Sequence, residues 1–331
     1  MRVRSLLLNL LLGAALAFAS APAPAQTTSV EDLVSAVVRI KTFINPDGRT
    51  VQNLGREREG SGIVIDGNGL VLTIGYLMVE AHAAEVLLND GRTVPAEIVG
   101  YDHETGFGLL KAIAPLRVRP IPLGKSAELR EHDPALVASH GGPSMVAPVH
   151  VVAKREFSGS WEYLLDEAIF TSPPHPAWSG AALINREGKL VGVGSLIVSD
   201  AAGTREQNPG NMFVPIDRLP PILAELIAEG RAAGPLRPWL GLTTEEIRGR
   251  LLVIAVAVGG PAEQAGVKRG DLVIGVAGEP AMGLSDFYRK AWAKRSAGDT
   301  VPLDVMRDND LKRVEIKSMN RMDHLKLKST F

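Results

Sequence analysis

One short stretch, PHPAWSGAAL (Pro174 to Leu183), places Ser179 between Trp178 and Gly180. A serine hydroxyl does nucleophilic chemistry only when a neighbouring base takes its proton. The histidines that could serve are scattered: His82, His103 beside Asp102, His140 after Ser139, and His175 in the same stretch as the serine. Each reads as a surface-loop histidine. His175 is the nearest substitute base by sequence distance, although residues of one loop rarely converge on an attack geometry. The chain has no cysteine, which excludes a thiol nucleophile, disulfides and thiolate metal sites. No histidine or carboxylate spacing matches a metal site, so neither metal nor cofactor is expected.

The elements that must position Ser179 are strands. From Val30 to about Ile216 short β-rich runs recur, among them GSGIVID, LVLTIGY, AEVLLNDG, FGLLKAI, HVVAKRE and MFVPID. Turn residues punctuate them in DGNG, NDGR and NREGK. Many short strands with hairpin signals predict an all-β barrel or sandwich. The pattern then changes. DRLPPILAELIAEG carries apolar residues at helical spacing and ends at Gly230, which predicts one amphipathic helix. After the linker AAGPLRP, a second module runs from about Trp239 to Ser318. It reads as strands, a short helix at PAEQAG, DLVIGVAGEPA, a helix near Ser285 to Lys294, and two final strands.

Taken together these motifs resemble the HtrA/Deg proteins, periplasmic chymotrypsin-like serine proteases with a C-terminal PDZ domain. The resemblance covers roughly residues 28–320 and rests on the order of GSGIVID, NDGR, a Ser-Gly-Ala loop, LINREGKLVGV, FVPID and GGPAEQAGVKRGDLVIGVAGEPA. It implies a mainly β fold: a chymotrypsin-like double β-barrel followed by an α+β PDZ domain. The implied division is a signal peptide at 1–25, the protease-type domain at 26–216, a connecting helix and linker at 217–235, the PDZ domain at 236–320 and a polar, mobile or edge tail at 321–331.

The resemblance also implies where a catalytic triad should stand, and two of its members are missing. Counting back from NDGR and forward from Thr73 places Tyr76 at the histidine position. The segment HETGFGLLKA places Gly106 at the aspartate position. Ser179 keeps the nucleophile position, but the family's Gly-Asn-Ser-Gly-Gly reads Ala177-Trp178-Ser179-Gly180-Ala181 here. Ala177, preceded by Pro176, replaces the glycine whose N–H lines the oxyanion hole, and alanine resists a positive φ where glycine does not. A tyrosine with an ordinary pKa near about 10 is protonated at neutral pH and donates rather than accepts. Glycine orients nothing. The site is therefore expected to have lost its peptidase activity, with WSGA as a packing turn the plain alternative.

PDZ domains bind C-terminal peptides by strand addition, with loop N–H groups holding the terminal carboxylate. In PWLGLTT the implied carboxylate loop is Trp239, Leu240, Gly241 and Leu242. Phe287, Tyr288 and Ala291 of SDFYRKAWAK are candidates for the side-chain pocket, with ordinary core packing the alternative for Phe287.

Arg2, Arg4, the apolar run Leu6 to Ala19 and the small residues up to Ala25 have the pattern of a secretory signal peptide, and the run is short of the about 20 residues a membrane span needs. A periplasmic or secreted location is expected. A formal net charge of −1, with 45% apolar and 22% charged residues, fits a globular chain and gives no basic footprint for nucleic acid. The expected function is an inactive HtrA-like envelope protein that binds exposed C-termini or unfolded segments in protein quality control. The alternatives are an active endopeptidase using Ser179 with a non-standard base, and a structural subunit of a mixed oligomer. HtrA proteins generally form trimers through their protease domains. The expected assembly is thus a homotrimer or a mixed oligomer with homologues, with TTSVEDLVSAVVRIKTF (Thr27 to Phe43) as its contact segment.

Overall fold

The computed structural model describes residues 29–204 and 206–327. The expected signal peptide lies outside the described residues. The strands β1 (Val37–Ile44), β2 (Glu57–Val64), β3 (Leu70–Ile74), β4 (Ala81–Leu87), β5 (Thr93–Tyr101) and β6 (Phe107–Ala112) close into one antiparallel barrel in the order β1-β2-β3-β6-β5-β4. Strands β7 (Pro134–Ala138), β8 (Val146–Gly159), β9 (Tyr163–Ser172), β10 (Ala182–Ile184), β11 (Leu190–Val198) and β12 (Gly210–Pro215) close a second, in the order β10-β11-β12-β9-β8-β7. Closure removes the free strand edges that an open sheet would present.

The turn signals act through side-chain oxygens. Asp66 Oδ1 accepts from the N–H of Asn68 and of Leu70, and Asn185 Oδ1 from those of Glu187 and Lys189, which holds β2–β3 and β10–β11 at tight corners. Val38, Ile40, Ile63, Leu72 and Leu109 fill the first barrel, and Val137, Val151, Ile169, Leu183 and Phe213 the second; all ten are buried.

Two short helices flank the first barrel: α1 (Val30–Ser35) and α2 (Val51–Leu54). Helix α3 (Pro220–Glu229) opens on its two prolines and stops at Gly230, whose φ of +72° is the left-handed conformation that ends helices. The third unit is a sheet of β13 (Leu242–Ile247), β14 (Arg250–Val256), β15 (Leu272–Val276), β17 (Thr300–Arg307) and β18 (Asp310–Lys317), with the short β16 (Glu279–Pro280) beside β15. Helices α4 (Pro261–Gln264) and α5 (Leu284–Trp292) complete it. The predicted final strands form a hairpin closed by Asp308 and Asn309, both at positive φ, as a two-residue turn requires.

In the expected contact segment Thr27 to Phe43, Leu33, Val34, Val37, Val38 and Ile40 are buried, while Val30, Glu31 and Arg39 are exposed. One expectation is corrected: residues 321–327 are not a loose tail. Helix α6 (Arg321–His324) lays the His324 ring against Trp239, and Asn45 and Glu80 grip the Lys326 backbone at 2.8 and 2.7 Å. Polar residues here serve as contacts between units, a use that composition does not distinguish from solvation.

Candidate active site and peptide groove

Ser179 sits in the loop between β9 and β10, half-buried. Backbone bonds fix that loop: the Ser61 N–H donates to the Ser179 carbonyl at 2.8 Å, Gly180 N–H to Gly194 O at 2.9 Å, and Ala181 N–H to Trp178 O at 3.0 Å. Gly180 has φ +73°, and a Cβ there would collide with the Ser61 carbonyl. Gly180 is thus a requirement of the fold whatever the chemistry of Ser179.

The turn Gly75–Leu77 after β3 carries Tyr76 into this loop. Its Oη lies 2.5 Å from Ser179 Oγ and 2.9 Å from the carbonyl oxygen of Ser195 on β11. The proton positions follow from valence. A carbonyl only accepts, so the single phenolic proton goes to Ser195, and the serine hydroxyl must donate to Tyr76 Oη. Burial pushes the Tyr76 pKa up to about 12, against a smaller opposing pull from the Ser179 bond. Tyr76 is therefore a neutral phenol at physiological pH.

Gly106 precedes β6 with φ +84°. Its carbonyl accepts from Gly75 N–H at 2.7 Å, so it braces the Tyr76 turn through its backbone. A Cβ at this position would stand 3.1 Å from Tyr163 Oη. Ala177 is in the same loop as Ser179, and its N–H donates to His175 Nδ1 at 3.2 Å, within the loop.

Four of the histidines depart from or refine the surface reading. His175 is 4% exposed; its backbone is clasped by Asn211, and burial lowers its pKa. With Nδ1 taken by the Ala177 amide, it is no base for Ser179. His103 is half-buried between Tyr101 Oη and the Arg321 guanidinium, each at 2.8 Å, and desolvation holds its pKa well below the usual range. Asp102 spends its carboxylate on Thr105 N–H and Oγ1 at 2.7 and 2.6 Å. His140 is partly buried and meets Ser61 Oγ at 3.0 Å, a serine that sequence gave no reason to single out, and Ser61 and Ser139 are themselves buried. Of these four, His82 alone is exposed, on β4. Among the described residues no histidine ring is hydrogen-bonded to Ser179, and no cluster of His, Asp or Glu could hold a metal ion.

The second site lies where β13 begins. Leu240 N–H donates to Glu162 Oε2 at 2.8 Å, and Gly241 and Leu242 N–H both donate to Glu162 Oε1, at 2.7 and 2.8 Å. Gly241 has φ +79°, which turns three successive amides to one side. Trp239 is not part of this cradle: its N–H pairs with Met319 O at 3.0 Å and its ring with His324. Phe287, Tyr288 and Ala291 of α5 are all buried, with Phe287 at the centre of the core. Tyr288 also reaches out: its Oη donates to Gly159 O at 2.7 Å and accepts Glu162 N–H at 3.1 Å. Glu162 was invisible to sequence reasoning, because its partners lie far along the chain and a lone glutamate in a turn carries no signal. It is buried, has φ +60°, and has its pKa raised to about 7 by burial, which the three loop amides oppose.

Comparison with known proteins matches the trypsin-like peptidase domain family over residues 60–193 and the PDZ domain family over residues 238–318. The chain is 29% identical over 299 residues to the serine protease PepD of Mycobacterium tuberculosis, covering 83% of this chain and 62% of that protein. It is 28% identical over 285 residues to a probable periplasmic DegP-like serine endoprotease of Ectopseudomonas mendocina, covering 79% of this chain and 57% of the relative. The chain thus spans less than two thirds of the length of both relatives. Among solved structures, the HtrA-type protease AlgW with a decapeptide superposes with a TM-score of 0.52 at 21% identity, over 87% of this chain and 96% of AlgW. The chain thus carries a trypsin-like peptidase domain followed by a PDZ domain, has the fold of the HtrA-type proteases, and is similar to DegP-like endoproteases.

Proposed function

We propose that this chain is an HtrA-family protein of the cell envelope whose peptidase centre is silent and whose working site is the PDZ groove. It binds exposed C-termini or unfolded segments in protein quality control. The observation that carries this reading is the Ser179 hydroxyl donating to a half-buried, neutral tyrosine. A nucleophile needs a base there, and a phenol with a pKa of about 12 is none at neutral pH. The Ala177 amide, turned to His175, is a second departure from a working oxyanion hole. Tyr76, Gly106, Ala177 and Ser179 are read as the degenerate catalytic positions; Leu240, Gly241 and Leu242 are read as the carboxylate cradle. The division into residues 26–216, 217–235 and 236–320 belongs to the same reading. A periplasmic location and assembly as a trimer or mixed oligomer accord with the names and family of the relatives.

The test is labelling of Ser179 by a fluorophosphonate probe, with casein hydrolysis alongside, against Ser179→Ala and an active homologue. No labelling and no Ser179-dependent turnover are expected. Removal of triad members costs roughly 10⁴ to 10⁶ in kcat in related enzymes. Turnover that vanishes in Ser179→Ala would make the chain an active endopeptidase.

A further inference from the structure

The turn between β8 and β9 reaches across to the PDZ unit and lies in its groove. Three features of that contact are those of a bound peptide end. First, a carboxylate sits in the amide cradle: Glu162 takes all three N–H groups of Leu240, Gly241 and Leu242 with both of its oxygens. Second, the turn makes a main-chain bond to the groove edge: Thr244 N–H, on β13, donates to the carbonyl of Ser160, two residues before the carboxylate, at 2.9 Å. Third, an apolar side chain fills the pocket: Leu164 is buried in the cluster of Leu240, Leu242, Phe287 and Tyr288 rather than in its own barrel. Tyr288 closes the arrangement from α5 by holding Gly159 O and Glu162 N–H. Outside the groove, Arg289 of α5 bonds Glu156 and Asp166, on the two strands of the same hairpin, at 2.7 Å each.

We propose that the β8–β9 turn is an internal ligand of the PDZ groove, with the Glu162 side chain standing where the terminal carboxylate of a bound peptide would stand. An incoming partner must then displace the hairpin. The groove would take a free carboxylate, a backbone carbonyl two residues upstream for Thr244, and an apolar side chain in place of Leu164. Glu162 holds a left-handed φ of +60°, a conformation that costs a non-glycine residue free energy and that release from the groove would relieve. This inference rests on the proposed peptide-binding role of the PDZ unit and adds its regulation.

The experiment uses the full chain, Glu162→Gln and Arg289→Ala. Two quantities are read: hydrogen exchange of the Leu240–Leu242 amides without peptide, and the affinity of a fluorescent peptide ending in leucine with a free carboxyl. Glu162→Gln should speed exchange at these amides and tighten peptide binding about 10- to 100-fold, the range of a charge-assisted hydrogen bond. Arg289→Ala, at a surface position, should act in the same direction more weakly and answers for a folding defect in the first variant. Unchanged amide exchange in both variants would overturn the internal ligand. Equal peptide affinity in all three proteins would remove the competition while leaving peptide binding intact. Faster exchange with no peptide bound by any of them would uphold the docked hairpin and overturn the peptide-binding reading instead.

Discussion

Tyr76 Oη accepts the Ser179 hydroxyl at 2.5 Å and passes its own proton to the Ser195 carbonyl at 2.9 Å. Among the described residues the serine is thus the donor in its one side-chain bond, the reverse of what attack on a carbonyl requires. Tyr76→Phe should leave Ser179 as unreactive toward a fluorophosphonate as in the parent chain. It should also destabilise the fold by about 1–2 kcal/mol, because a buried carbonyl loses its donor. Urea denaturation measures the second effect. Labelling gained in Tyr76→Phe would mean that the tyrosine was blocking an otherwise competent serine.

Restoring an aspartate at position 106 should fail for a structural reason. Gly106 has φ +84°, and any Cβ there stands 3.1 Å from Tyr163 Oη, which itself donates to Thr105 O at 2.7 Å. Gly106→Asp is expected to cost about 1–3 kcal/mol from the left-handed backbone and the crowding. Tyr76→His combined with Gly106→Asp and Ala177→Gly should therefore yield no measurable casein hydrolysis. The midpoint of chemical denaturation reads the cost, and an unshifted midpoint in Gly106→Asp would contradict the crowding argument.

Gly180→Ala tests whether the loop glycine serves the fold. Its φ of +73° and the collision of a new Cβ with the Ser61 carbonyl predict a loss of about 2–5 kcal/mol. Ser179→Ala, by contrast, should shift stability by less than about 1.5 kcal/mol, since it removes one hydroxyl bond. Equal effects of the two substitutions on the melting temperature would count against a scaffold role for Gly180.

All four tyrosines of the chain, Tyr76, Tyr101, Tyr163 and Tyr288, have their pKa raised by burial, to about 12 for the first two. A phenol whose folded pKa exceeds its unfolded value of about 10 favours the fold below pH 10. That contribution is lost as pH climbs from about 10 through about 12. Absorbance at the tyrosinate band should stay flat until the protein unfolds, and the rise should coincide with loss of the circular dichroism signal. A tyrosinate signal near pH 10 in folded protein would show that at least one ring is more open than described.

Peptides with a hydrophobic C-terminus should bind the full chain more tightly as free acids than as amides, because the cradle amides favour a charged acceptor. Affinity on the order of micromolar suits a short added strand. Isothermal titration with both forms decides this, and equal affinity would remove Leu240, Gly241 and Leu242 from the carboxylate role.

Much of the fold was legible in local sequence. Turn residues such as Asp66 and Asn185 act on neighbours within four positions, and the many short β-rich runs between them leave a barrel or a sandwich. Helix α3 was legible too, since Pro220 and Gly230 mark its ends by their own backbone limits. The resemblance to the HtrA/Deg proteins, carried in register from Thr73 to NDGR, implied Tyr76 at the position beside the nucleophile. What sequence left open was every contact made across the chain. Which atom Tyr76 donates to depends on Ser195, on another strand. The loss of His175 as a base depends on where the Ala177 amide points. The occupant of the PDZ cradle depends on Glu162, which lies 78 residues from Leu240 and 80 from Leu242. Backbone preferences are written residue by residue, but proton direction, burial and the filling of a groove are set only when distant segments meet in three dimensions.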